Sequence, residues 1–186
     1  MELRRELEIL PYKLHPASYH EWDSRAPAVA ALLIRTIEAE IPQVTVEHIG
    51  STSVPGCGGK GIIDLMLMYS PGGMEAARDA LDRSGFQHQI SRHPFSEERP
   101  MRVAAVNYDG AEFRTHVHVI AADSPEVEEF RIFRDALLRN PDLITAYTAR
   151  KHEILAAGIT DAYTYTKTKG SFCQDVLADL SAQSST

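Results

Sequence analysis

The chain has 186 residues, 44% of them hydrophobic and 24% charged, a balance that supports one ordinary globular core and excludes wholesale disorder, fibrous repeats or two domains of usual size. Its 26 acidic and 19 basic side chains leave a net charge of −7, so the basic field behind non-specific polyanion affinity is missing and bulk nucleic-acid binding is not expected. Local phosphate binding stays open, because a few amides and lysines can hold one phosphate whatever the global sign.

Cys57 and Cys173 are the only cysteines and form neither a CxxC pair nor a metal-type spacing, which points to a reducing, cytoplasmic setting. The start, MELRRELEILPYKLHP, carries charge where a leader needs an apolar run, and no apolar stretch approaches the ~18 residues of a membrane span.

After a polar lead-in to about His20, Val29, Leu32, Leu33 and Ile37 recur at helical spacing. They predict a helix over 22–40, with Asp23 or Ser24 as cap and Pro42 as stop. A strand over 44–49, a Gly-rich segment over 50–61 and an apolar strand over 62–69 follow. The pattern then predicts a helix over 73–84 and strands over 87–90, 102–108 and 112–120, the last two joined by the turn Asp109-Gly110. From Ser124 the pattern becomes helical, with Val127, Phe130, Phe133, Leu137 and Leu138 as the inward stripe. Asn140-Pro141 breaks this helix, a second runs to Ala157, a third spans 160–180, and the tail from Ser181 is expected to fray.

The segment EHIGSTSVPG over 47–56, followed by KGIIDLMLM over 60–68, is the most informative. Gly50-Ser51 at a strand end lets backbone amides approach an anion and adds a hydroxyl donor, a phosphate cradle in outline. Asp64 stands alone in an apolar strand, where an ionised carboxylate is costly unless paired or metal-bound. From spacing alone it reads equally as a functional carboxylate or as a strand-end side chain capping a turn. Neither a Walker motif, a GxGxxG fingerprint nor a GxSxG elbow is present.

These residues, with Thr115-His116-Val117-His118-Val119, Phe133-Arg134-Asp135, Tyr147 with Lys151 and Tyr165 with Lys169, resemble the GrpB family, bacterial proteins similar to the nucleotidyltransferase superfamily. The resemblance covers most of the chain. It implies an α+β fold with a nucleotidyltransferase-like mixed sheet flanked by helices and a C-terminal helical segment, as one domain over 1–186. The core would span about 20–122 and the C-terminal helices about 123–180.

It further implies that the Gly50, Ser51, Thr52, Ser53 run binds phosphate, with His48 orienting the turn or touching the phosphate, and that Asp64 is catalytic and metal-binding. Active members of the superfamily carry D-x-D on this strand; here the pair is Asp64 and Met66, and a thioether is a poor Mg²⁺ ligand. His116 and His118 stand where a third carboxylate is usual, so with Asp64 they suggest a two-His-one-carboxylate site that favours Zn, Mn or Fe over the Mg of the superfamily, against the alternative of one backbone-bonded and one solvated imidazole. Lys60, Arg102 and Lys169 are the candidate anion contacts. Arg134 and Lys151 are further candidates, but Arg134 is expected rather to pair with Asp135 on the helix surface, Lys151 and Lys169 rather to lie on solvated helix faces, and Tyr147 and Tyr165 to be packing residues.

The function so implied is binding of a nucleotide or other phosphorylated small molecule, with metal-dependent nucleotidyl transfer to a small acceptor. The alternatives are a catalytically degenerate binding module and a His/Asp metal-dependent phosphohydrolase.

Overall fold

In the computed structural model, residues 7–184 are described; the charged start over 1–6 and the last two residues lie outside them. The elements, in chain order, are β1 (Ile9–Leu10), α1 (Ala26–Glu40), β2 (Val44–Ile49), β3 (Ile62–Tyr69), α2 (Met74–Arg83), β4 (Gln87–His88), β5 (Met101–Tyr108), β6 (Ala111–Ala121), α3 (Pro125–Arg139), α4 (Pro141–Ala156) and α5 (Ala162–Ser184).

The strands form one mixed sheet in the order β1-β5-β6-β3-β2, with β4 beside β1 on the outer edge of β5. Among the described residues only β3 and β6 run parallel, and every other pair is antiparallel. Asp109 (φ +48) and Gly110 (φ +74) make the tight β5–β6 turn expected of that dipeptide.

Period-two alternation divides the residues between two faces. One face carries Val46, Leu65, Leu67, Ala104, Val106, Val117 and Val119 and packs beneath Val29, Leu33 and Ile37 of α1 and Ala77 and Leu81 of α2. The other carries Asp64, Met66 and Met68 of β3 beside His116, His118 and Ile120 of β6, as their pairing requires. Val127 and Phe130 of α3 cover only the apolar end of that face, against Met66, Met68 and Ile120. Phe130 of α3 also reaches the His118 ring at 5.7 Å, whereas Asp64 and His116 lie toward the other end of the face. Val54 and Cys57 of the β2–β3 connection pack against Leu137, Tyr147 and Phe172 of the C-terminal helices.

Several boundaries differ from the sequence expectation. Helix α1 starts at Ala26, because the Asp23 carboxylate accepts from the Arg25 amide and guanidinium in a turn before the helix, and Pro27 is confined to a first turn. β1 falls within the expected polar lead-in and is too short to show periodicity. β4 keeps only two residues of the expected strand, and α5 begins at Ala162, where the Asp161 carboxylate accepts from the Thr164 amide at 2.8 Å. α5 continues to Ser184, beyond the expected end at Leu180. Leu138, expected in the inward stripe of α3, is 50% exposed.

Candidate functional site

The β2–β3 connection places the site. Ile49 at the end of β2 pairs with Asp64 on β3, and Gly50 turns the chain with φ +73. A Cβ at Gly50 would lie 2.7 Å from Asp64 Oδ2, so only glycine lets the turn sit on the carboxylate. A 3-10 turn, Ser51–Ser53, follows.

The three hydroxyls of this turn are used differently. Ser53 Oγ donates to the Gly50 carbonyl at 2.6 Å. Thr52 Oγ1 donates to the Ile62 carbonyl at 3.1 Å and lies 3.0 Å from His48 Nε2. The single hydroxyl proton of Thr52 goes to Ile62, so His48 must donate from a protonated Nε2. His48 points to the α1/α2 face, its register partner being Leu65, and burial lowers it to about 4. His48 thus orients the turn, the first of its two expected roles, while the side-chain hydroxyls of Thr52 and Ser53, expected as phosphate contacts, are taken up in fastening it. Ser51 Oγ has no hydrogen bond to another described residue, and a Cβ on the facing Gly59 would come within 2.7 Å of it.

The parallel register sets Asp64 beside His116 and Met66 beside His118. Asp64 Oδ1 lies 3.5 Å from His116 Nδ1 and 3.7 Å from His118 Nε2, with side chains 28%, 15% and 13% exposed. Burial pushes the Asp64 carboxyl up, but hydrogen bonding from the two imidazoles outweighs it and holds the group well below the usual carboxylate range. Burial lowers His116 in turn. Its other nitrogen, Nε2, meets the Tyr12 hydroxyl at 3.1 Å. His118 Nδ1 is buried without a partner, its ring set between Phe95 and Phe130.

Both imidazoles meet the same carboxylate oxygen, and Met66 is wholly buried in the apolar floor. Among the described residues no three His, Cys, Asp or Glu side chains are grouped to hold a metal ion. This donor set does not fit the pair of divalent ions of two-metal chemistry, which needs a second bridging carboxylate. Glu47 shares the face but is held by Arg131 at 2.5 Å and Arg134 at 3.0 Å. Arg134 makes the expected pair with Asp135 at 3.0 Å and, through Glu47, also ties α3 to β2.

The expected cationic contacts separate into three groups. Arg102 lies on the opposite face, where its register partner is Val117. It is 1% exposed and bonded to Asp82 at 2.5 Å and Glu97 at 2.9 Å, so it has no access to the Asp64 face. Lys151, expected on a solvated face, is also 1% exposed; its ammonium donates to the Gly58 carbonyl, meets Cys57 Sγ at 3.4 Å and rests 3.8 Å from the Tyr147 ring centre.

Lys60 and Lys169 remain half-buried at the site, each over an aromatic ring, with Lys60 3.3 Å from Thr166 Oγ1. Burial, and then the charge of Lys169, lower Lys60 to about 8. Tyr147 and Tyr165 are packing residues as expected, although the buried Tyr165 hydroxyl has no partner.

Two further site residues emerge from the structure. Arg114 donates to the Lys60 carbonyl at 2.8 Å, hydrogen-bonds Tyr12 and has no carboxylate partner among the described residues. Its place two residues before His116 marks it in retrospect as a member of the same strand face. Tyr12 follows a two-residue strand and leaves no comparable pattern. A cleft of about 540 Å³ opens on this side, bordered by His20, Trp22, Lys60, Phe113 and Arg114; it does not reach Asp64.

The mixed sheet with its flanking helices is a nucleotidyltransferase-like fold, seen also in the GLD-2/RNP-8 complex, which matches with a TM-score of 0.56 at 13% identity over 82% of this chain and 50% of that one. The chain belongs to the GrpB family: the family model described as GrpB protein matches residues 13–179. The GrpB crystal structure from Enterococcus faecalis matches with a TM-score of 0.60 at 20% identity, covering 86% of this chain and 99% of that one.

A UPF0157 protein of Pseudomonas aeruginosa is 33% identical over 142 residues, 76% of this chain but 57% of that protein. One of Halalkalibacterium halodurans is 26% identical over 183 residues, 96% of this chain and 90% of that protein. The chain thus spans little more than half of the Pseudomonas relative. No helix among the described residues is long and apolar enough to cross a membrane.

Proposed function

We propose that this protein binds the phosphate chain of a nucleotide or another phosphorylated small molecule between the Gly50–Ser51 turn and α5. The observation that carries the reading is the gathering of Lys60, Lys169 and Arg114 close enough for their charges to act on one another, at the end of the loop whose Gly59 faces the Ser51 hydroxyl. No carboxylate pairs with any of the three among the described residues, in a chain whose acidic side chains outnumber its basic ones. Like charges brought together in partly buried positions cost free energy, and a bound polyanion removes that cost.

Asp64 has a different role in this reading. Kept ionised by its two histidines, it forms an acidic wall that confines the phosphates to the Lys60 side. The buried Met66 favours a binding module over a nucleotidyl transferase, because the strand offers one carboxylate where transfer chemistry uses two.

The test is thermal unfolding of the wild type with each nucleoside triphosphate and with inorganic tripolyphosphate, in EDTA and in Mg²⁺. A ligand at ~100 times its Kd stabilises by about 2.7 kcal/mol. The expected result is a shift in EDTA that K60M and K169M abolish. No shift with any of these ligands overturns the reading, and a shift that needs Mg²⁺ and disappears in D64N replaces it with the transferase.

A further inference from the structure

Cys57 and Lys151 form a pair that the phosphate site does not use. Cys57 Sγ and Lys151 Nζ are 3.4 Å apart, and both residues are 1% exposed. The remaining interactions of Lys151 are with the Gly58 carbonyl and the Tyr147 ring. A buried lysine ordinarily meets a carboxylate; this one meets a thiol.

We propose that Cys57 and Lys151 are the two ends of a covalent redox cross-link, a nitrogen–oxygen–sulfur bridge made with dioxygen as oxidant. The thiol and the neutral amine react with one O₂. The S–H bond and one N–H bond break, an S–O and an O–N bond form, and both hydrogens leave with the second oxygen atom as water. Sulfur and nitrogen each give up two electrons, and the four together reduce both oxygen atoms.

Three features favour the reaction at this pair. The two atoms are already in contact, so no loop has to move. Burial lowers Lys151 to about 8 against the opposing pull of Cys57, which leaves part of the amine neutral near physiological pH. Cys57, Gly58 and Gly59 line the cleft of about 540 Å³, which brings a diatomic oxidant up to the loop that carries the thiol. The other cysteine does not compete, since Cys173 Sγ faces the Tyr147 hydroxyl at 3.8 Å and the Lys169 carbonyl at 3.7 Å. The bridge would pin α4 to the loop opposite Ser51, and a thiol reductant would release it.

The test compares the full chain kept in air with the same preparation kept under argon. Each is unfolded, alkylated at cysteine, and followed by intact mass and peptide mapping. The expected product in air has gained one oxygen and lost two hydrogens; it takes up one alkyl group, at Cys173, and yields a joined peptide holding Cys57 and Lys151. Reductant before alkylation restores the second alkyl group. K151R keeps the positive charge and cannot form the bridge, so its Cys57 is expected to alkylate fully in air.

Full alkylation of wild-type Cys57 after air exposure overturns the proposal. So does protection of Cys57 that persists in K151R, or a product that has lost two hydrogens without gaining oxygen. The air–argon comparison on the wild type stands whether or not the variant folds.

Discussion

Gly50 lies directly against Asp64: the backbone turns at φ +73 where a Cβ would stand 2.7 Å from the carboxylate oxygen. The turn and the acidic side chain are therefore one structural unit, and a change at either position acts on both.

Replacing Gly50 by alanine forces a side chain into a glycine-only backbone region and against Asp64. G50A is expected to lower stability by about 2 kcal/mol or more, seen as a reduced urea midpoint at unchanged m-value. It should also weaken tripolyphosphate binding, because Ser51 is displaced with the turn. Wild-type stability in this variant would show that the turn is not held against Asp64.

His48 predicts an acid-sensitive stability. Its folded value of about 4 lies below the ordinary 6.5, so the unfolded chain takes up the proton first. The penalty is absent above about pH 6.5 and grows as pH falls toward 4, reaching at most about 3 kcal/mol. H48Q keeps a donor toward Thr52 without titrating, and its unfolding free energy should fall less between pH 7 and 4.5. Parallel pH profiles would remove His48 as the cause.

Asp64 separates the binding reading from metal-bridged chemistry. With the carboxylate as an acidic wall, D64N is expected to bind tripolyphosphate in EDTA as tightly as the wild type or more tightly, by titration calorimetry. A clear loss of affinity would mean that Asp64 contributes attraction.

Arg102 is expected to affect stability but not binding. It is buried on the α1/α2 face and joins Asp82 of α2 to Glu97. R102M should cost about 2 kcal/mol, moderated because both acidic partners reach solvent and can rehydrate, while the Kd for tripolyphosphate stays at the wild-type value. A weakened Kd in a folded R102M would return Arg102 to the site.

Ser51 and Lys60 act on the same ligand from the turn and from the loop, so their contributions should couple. S51A and K60M are each expected to weaken binding severalfold, and the double variant by less than the product of the two effects, measured as a double-mutant cycle. Strictly additive losses would place them at separate sites.

The sequence by itself determined the local features. Alternation in VTVEHI and THVHV and the short apolar run IIDLMLM assign strands, and the spacing puts His116 and His118 on one face, because side chains two apart in a strand must point the same way. Ser124-Pro125 and Asn140-Pro141 set helix starts because capping and proline geometry act within a turn, and Asp109-Gly110 sets its hairpin for the same reason.

Which strands became neighbours, and which faces were covered, was decided only by the tertiary structure. The parallel register of β3 and β6 brings Asp64 to both histidines, and nothing local to either strand encodes it. Arg102 and Arg114 look alike as strand arginines. Strand pairing puts the first beneath α2, where acids neutralise it, and the second beside Lys60. Lys151 reads as a surface residue on its own helix, yet the Cys57–Gly58 loop folds over it. Periodicity records a residue's orientation within its own element, whereas burial and charge environment depend on the element that packs against it from a distant part of the chain.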